Sequence, residues 1–156
     1  MVYTLQLYDG EIASSYVSHV SGSQNTSESK KRTKKVLVVD DEPDVIITLK
    51  MGLEDTGLFE VYTFTNPEEA LRDFKPGFYD FVLIDIKMSR MSGYELFDSI
   101  RKKDNKVKGC FITALEIDYD AIRKHFPTLE RECYIKKPIA IDDLIKKINN
   151  ELKGEN

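Results

Sequence analysis

Nowhere in this 156-residue sequence do apolar residues run for the roughly 18–20 positions that a bilayer-crossing helix needs, so no membrane insertion is expected. The opening stretch MVYTLQLYDGEIASSYV lacks both a basic start and an uninterrupted apolar block, the two marks of a secretory signal. Cysteine is scarce. Cys110 and Cys133 are the only two, each lies inside an apolar strand-like run, and no CxxC spacing occurs. Buried free thiols are the expectation for them, not a disulfide or a metal site, and a reducing cytoplasmic setting goes with that. Charge of one sign is also lacking: a net charge of −4 gives no general reason to expect direct DNA binding. The one basic cluster, Lys30-Lys31-Arg32-Thr33-Lys34-Lys35, reads as a solvated linker beside a strand.

Composition changes near residue 33. From Ser14 to Thr33 the chain is rich in Ser, Asn, Gln and Thr, and only Tyr16, Val17 and Val20 are sizeable apolar groups. Such a segment cannot bury enough to offset its ordering entropy, so residues 1–33 are expected to form a disordered Ser-rich tail. Asp9-Gly10 is a candidate hairpin turn between 3–8 and 11–17, although an isolated two-stranded hairpin is marginal in water.

From Lys35 onward short β-branched runs alternate with helical patterns. The predicted strands are Val36–Val39, Glu60–Phe64, Phe81–Ile84, Cys110–Thr113 and Cys133–Lys136. Asn66-Pro67 marks a helix start, and Ser92-Gly93-Tyr94-Glu95 has the form of a capping box. Tyr119, Ile122 and Phe126 suggest a short helix. Ile141, Leu144, Ile145, Ile148 and Leu152 give the last helix its apolar stripe. Five β/α units over 34–154 predict an α/β fold with a doubly wound parallel sheet, because parallel strands need crossover connections. Such sheets bind ligands beyond the carboxyl ends of their strands.

Those strand ends carry a consistent set. Asp40 and Asp41 follow the first strand, Asp85 the third, Thr113 closes the fourth, and Lys137, held before Pro138, follows the fifth. Carboxylates crowded at one edge cannot all stay ionised without compensation. A hard divalent cation with oxygen ligands, Mg²⁺ or Mn²⁺, removes the conflict. Lys137 supplies a compact positive charge, and Thr113 a hydroxyl donor. Phosphoryl transfer asks little more of a protein than positioning and charge neutralisation, which an aspartate, a metal and a lysine provide. Taken singly, each residue is a common turn or helix-start feature; their joint occurrence at successive strand ends is the signal.

The segments VLVVDDEPDV, FVLIDIKMSRMSGYEL, CFITAL and YIKKPI resemble the receiver domains of two-component response regulators, over about residues 35–152. The resemblance implies a flavodoxin-like (βα)5 fold with strand order 2-1-3-4-5. It implies Asp85 as phosphoacceptor, and Asp40, Asp41, Asp85 and the backbone carbonyl of Lys87 as metal ligands. Thr113 and Lys137 then contact the phosphoryl group, and Thr113 and Tyr134 form a switch. Lys136 competes with Lys137, but the family's lysine directly precedes the proline. The implied donor is a sensor histidine kinase or histidine phosphotransfer protein, and the output an unidentified downstream protein. A DNA-binding or enzymatic output module would need more residues than follow Leu152.

Three departures bear on switching. Ser89 stands where the family usually has proline, which is expected to loosen the loop after Asp85. Ile139 replaces a common aromatic, and Phe126–Cys133 is long and interrupted by Pro127. The side chains of Lys87 and Leu115 are expected to tune the phosphoryl lifetime by controlling water access. His19 and His125 have no role at the site. A second reading is a metal-dependent phosphohydrolase of the haloacid-dehalogenase type, but Lys87 stands where that family carries a second Asp. A third reading is a degenerate scaffold, opposed by the intact residue set.

Overall fold

The computed structural model describes residues 32–129 and 132–154. The predicted hairpin about Asp9-Gly10, and all but the last two residues of the predicted tail, lie outside the described residues. Five strands, β1 (Lys34–Val39), β2 (Phe59–Phe64), β3 (Phe81–Asp85), β4 (Lys108–Thr113) and β5 (Cys133–Lys136), form one sheet ordered β2-β1-β3-β4-β5. Its four strand pairings are all parallel. The helices are α1 (Pro43–Glu54), α2 (Pro67–Asp73), α3 (Gly93–Lys103), α4 (Tyr119–His125) and α5 (Ile141–Lys153), with a 3-10 turn at Pro127–Leu129 before β5.

Burial on both faces explains why the central strands read as continuous apolar runs and not as alternating ones. One side chain in two goes to each face. Val36, Val38, Leu83 and Ile112 pack with Leu49 and Leu53 of α1 and with Leu144 and Ile148 of α5. Leu37, Val39, Ile84 and Phe111 pack on the other face with Ala70 of α2, Leu96, Phe97 and Ile100 of α3, and Ile122 of α4. Order 2-1-3 places β1 between β2 and β3, so the chain reverses its direction of travel across the sheet there. The crevice at that reversal opens above the ends of β1 and β3, where Asp40 and Asp85 sit.

The helix starts form where the sequence placed them. The Asn66 side chain accepts from the Glu68 N–H at 2.9 Å, with Pro67 at the first helical position. Ser92 and Glu95 close the reciprocal capping box, so α3 begins at a defined point just beyond the loop that follows Asp85. His125 is exposed in the last turn of α4. Tyr119 is 49% exposed and so does not contribute to the core.

Cys110 and Cys133 are joined as a disulfide, which corrects the expectation of two free thiols. They are direct register partners on β4 and β5, with Cα atoms 4.4 Å apart, inside the bridging range. A sequence separation of 23 hides this pairing from any search for short cysteine spacings.

Candidate functional site

Asp40 follows β1 directly and is fully buried; Asp85 is the last residue of β3 and 5% exposed; Thr113 closes β4 and is 1% exposed. They are the polar exceptions in a core that is otherwise apolar. Lys137, one residue past β5, sends its Nζ to Asp40 Oδ2 at 2.7 Å and to Asp85 Oδ1 at 3.2 Å. Its backbone N–H donates to the Thr113 carbonyl at 2.8 Å, which ties the end of β5 to the end of β4, and its peptide bond to Pro138 is cis. The structure therefore brings together Asp40, Asp85, Thr113 and Lys137. Lys136 points elsewhere: it is exposed and pairs with Glu116.

Local backbone contacts orient the acids. Asp40 Oδ1 accepts from the Glu42 N–H at 2.9 Å, and Asp41 Oδ2 from the Ser89 N–H at 2.9 Å. The Ser89 contact bears on the predicted loosening of this loop. A proline there would have no N–H to offer, whereas serine anchors the loop to a site carboxylate. The same loop holds Arg90 at φ 74°, a left-handed conformation that is costly for a side-chain-bearing residue. Its side chain pairs with Glu68 at 3.4 Å.

Sequence reasoning saw Gly93 only as part of a capping box and missed its contact with Asp85. A Cβ at Gly93 would fall 2.2 Å from the Asp85 carbonyl oxygen, so only glycine lets α3 start against the end of β3. The signal available was its place between the cap residue Ser92 and the helix.

Asp40, Asp41 and Asp85 each offer a carboxylate oxygen, all within 4.8 Å of one another. Burial pushes the Asp85 carboxyl above its ordinary range, and the charges of Asp40 and Asp41 push the same way against the pull of Lys137. For Lys137, burial acts to lower the ammonium, but the hydrogen bond and charge of Asp40, reinforced by Asp85, outweigh it and hold Lys137 above its usual value. The ammonium lies closer to Asp40 than to Asp85, so its pull on Asp85 does not offset burial and the neighbouring charges. The acidic set carries three negative charges against one positive, all on hard oxygen donors, and it fits a divalent cation such as Mg²⁺.

Thr113 Oγ1 accepts from the Leu115 N–H at 3.1 Å, which leaves its own O–H to donate. Lys87 lies two residues beyond Asp85 with its side chain exposed, and Leu115, two residues beyond Thr113, is 46% exposed. Tyr134 is half-buried on the α3–α4 face. Its ring stacks on Phe111 at 5.2 Å, and its hydroxyl donates to the Leu129 carbonyl at 3.0 Å.

Comparison with known proteins gives the same picture. The response regulator SaeR of Staphylococcus aureus is 29% identical over 117 residues, covering 75% of this chain and 50% of that protein. The transcriptional regulatory protein PrrA of Mycobacterium tuberculosis is 32% identical over 121 residues, covering 76% of this chain and 50% of its own. The chain thus spans about half the length of the curated relatives it matches. A CheY-like receiver domain protein from Methanospirillum hungatei superposes with a TM-score of 0.70 at 27% identity, covering 80% of this chain and 97% of that one. The response regulator TrrA from Thermotoga maritima, solved in complex with Mg(2+)-BeF, is 36% identical with a TM-score of 0.65, covering 76% and 98%. The response regulator receiver domain model matches residues 36–149, all five strands but for the first two residues of β1, with the site they carry, and the chain belongs to that family, the receiver domains of two-component signalling.

Proposed function

We propose that this receiver domain accepts a phosphoryl group on Asp85 from a phosphohistidine of a sensor histidine kinase or histidine phosphotransfer protein, in a reaction that needs Mg²⁺ or Mn²⁺. The observation that carries the reading is the shared lysine: Lys137 lies between Asp40 and Asp85, with Asp41 completing the acidic set.

Asp40, Asp41, Asp85 and the carbonyl of Lys87 are the groups that would hold the metal, which supplies positive charge to neutralise the incoming phosphoryl oxygens. An ionised Asp85 oxygen attacks phosphorus, the P–N bond to the donor imidazole breaks, and the imidazole leaves as it takes up a proton. The product on Asp85 is an acyl phosphate. Lys137 keeps its contact with Asp40 and turns its remaining donors to a phosphoryl oxygen. The free O–H of Thr113 donates to another. The chain positions and neutralises, as phosphoryl transfer requires. It is a signalling module that assists its own phosphorylation and dephosphorylation, not an enzyme turning over small substrates.

Movement of Thr113 toward the phosphoryl group empties space beside β4. Tyr134 turns into that space and remodels the face formed by α4, β5 and α5, where an unidentified downstream protein docks. Lys87 and Leu115 flank the path of attacking water and set the phosphoryl lifetime. Unchanged dephosphorylation rates in both Lys87→Ala and Leu115→Ala would remove that role. No helix among the described residues is long and apolar enough to cross a membrane. The acceptor is tested by treating the phosphorylated chain with borohydride, which reduces an acyl phosphate to the alcohol. Peptide mapping should find homoserine at position 85, and its appearance elsewhere would overturn the assignment.

A further inference from the structure

The Cys110–Cys133 disulfide lies away from the carboxylates, on the opposite face of the sheet from Tyr134, and the phosphoryl chemistry makes no use of it. Its placement is specific. It bridges register partners on β4 and on the edge strand β5, three residues before Thr113 on one strand and four before Lys137 on the other. It packs under the last turns of α5: a carboxylate oxygen of Glu151 lies within 4.8 Å of both sulfurs, and Ile148 and Leu152 belong to the same cluster. Lys108, on β4 two residues before Cys110, holds the Glu151 and Leu152 carbonyls at 2.6 and 3.4 Å.

The two cysteines are not equally exposed. Cys110 is 3% exposed, whereas Cys133 is half-buried at the start of a four-residue edge strand. Thiolate attack is therefore directed to Cys133. We propose that Cys110–Cys133 is a thiol–disulfide exchange site that takes a dithiol reductant at Cys133, and that its state sets the order of the β5–α5 edge.

The exchange balances as follows. A dithiol thiolate attacks the Cys133 sulfur, the S–S bond breaks, and Cys110 leaves and takes up a proton. The second thiol of the reductant then displaces Cys133, which is also protonated. The reductant becomes a disulfide, and two electrons and two protons pass to the chain. Two separate thiols need more room than one disulfide, so Ile148, Glu151 and Leu152 of α5, which lie against the bridge, must give way. The covalent tie that fixed the β4–β5 register is lost at the same time. The elements affected are those that carry Tyr134, lead to Lys137 and form one side of the docking face.

The experiment uses the full chain, oxidised with glutathione disulfide and then titrated with dithiothreitol under native conditions. Free thiols are trapped by alkylation, and hydrogen exchange is followed by mass spectrometry. The expected result is that both thiols appear while circular dichroism stays native, with the first mixed disulfide on Cys133. Exchange in β5 and the last turns of α5 should then quicken about tenfold, while β1 and β3 are unchanged. Cys133→Ser should show the faster pattern with or without dithiothreitol. If that variant does not fold, the wild-type titration decides alone. Thiols that appear only after denaturation, or identical exchange of β5 and α5 in both states, would overturn the proposal. No phosphodonor enters the measurement, so its outcome is independent of the assignment of Asp85.

Discussion

Replacing Asp85 by asparagine should make the metal-free protein more stable, although it removes the proposed acceptor. Ionised Asp85 faces Lys137 at 3.2 Å, an attraction of about 5 kcal/mol at an effective dielectric constant near 20. On the same scale Asp40 and Asp41, with oxygens within 4.8 Å, repel it by at least about 3.5 kcal/mol each. Repulsion and burial together outweigh the ion pair, in agreement with the raised carboxyl. A carboxyl whose folded value is raised favours folding only while protonated. The stability linked to its proton is present below the unfolded value of about 3.9 and is lost as pH rises through the folded value. At pH 7 the charge is an uncompensated cost, and Asp85→Asn should gain about 0.5–2 kcal/mol, the usual range for relieving a functional site. The gain should fade as acidification carries the pH down through the folded value, and should be gone below about pH 4. Mg²⁺ should reverse the order: at a hundred times its Kd it adds about 2.7 kcal/mol to the wild type and much less to the variant. Urea unfolding of both proteins at pH 7 and pH 3.5, with and without Mg²⁺, measures all four quantities. A variant equally or less stable than wild type at pH 7 without metal would refute the electrostatic reasoning.

Gly93→Ala forces a methyl group against the Asp85 carbonyl, so it should cost about 1–3 kcal/mol in urea unfolding and weaken Mg²⁺ binding by calorimetry. Ser92→Ala removes the capping-box hydroxyl and should cost about 1 kcal/mol while leaving Mg²⁺ affinity unchanged. Tyr134→Phe loses the hydrogen bond to the Leu129 carbonyl but keeps the ring on Phe111. It should cost about 1 kcal/mol and leave the rate of phosphorylation by acetyl phosphate unaltered.

The site was legible because its residues stand where apolar strands stop. Asp40, Asp85, Thr113 and Lys137 each end or follow a short β-branched run, and a parallel sheet gathers such ends at one edge. The helix caps at Asn66 and Ser92 were legible because they depend on neighbours within three residues. Features set by distant partners were not. The Cys110–Cys133 pairing depends on strand register across an intervening helix. The close approach of Gly93 to Asp85 depends on where α3 docks, and the Ser89–Asp41 hydrogen bond on how two loops meet.

The starts of β3 and β5 were placed correctly, but those of β1, β2 and β4 were placed late. β1 begins at Lys34 and β4 at Lys108, ahead of the apolar runs. Long lysine stems can cover apolar surface while keeping the charge satisfied. Lys35 places its ammonium 3.9 Å from the centre of the Phe78 ring, and Lys108 reaches the α5 carbonyls. A period-two apolar pattern does not register such residues.

The central claim is that Asp85 takes the phosphoryl group with the help of a divalent metal. It is tested most directly by the intact mass of the full chain after incubation with acetyl phosphate, with and without Mg²⁺, for wild type and Asp85→Asn. The account predicts a single phosphoryl adduct on wild type that requires Mg²⁺ and is absent from Asp85→Asn. A folded, Mg²⁺-bound wild type that gains no adduct, or a variant that gains the same one, would contradict it.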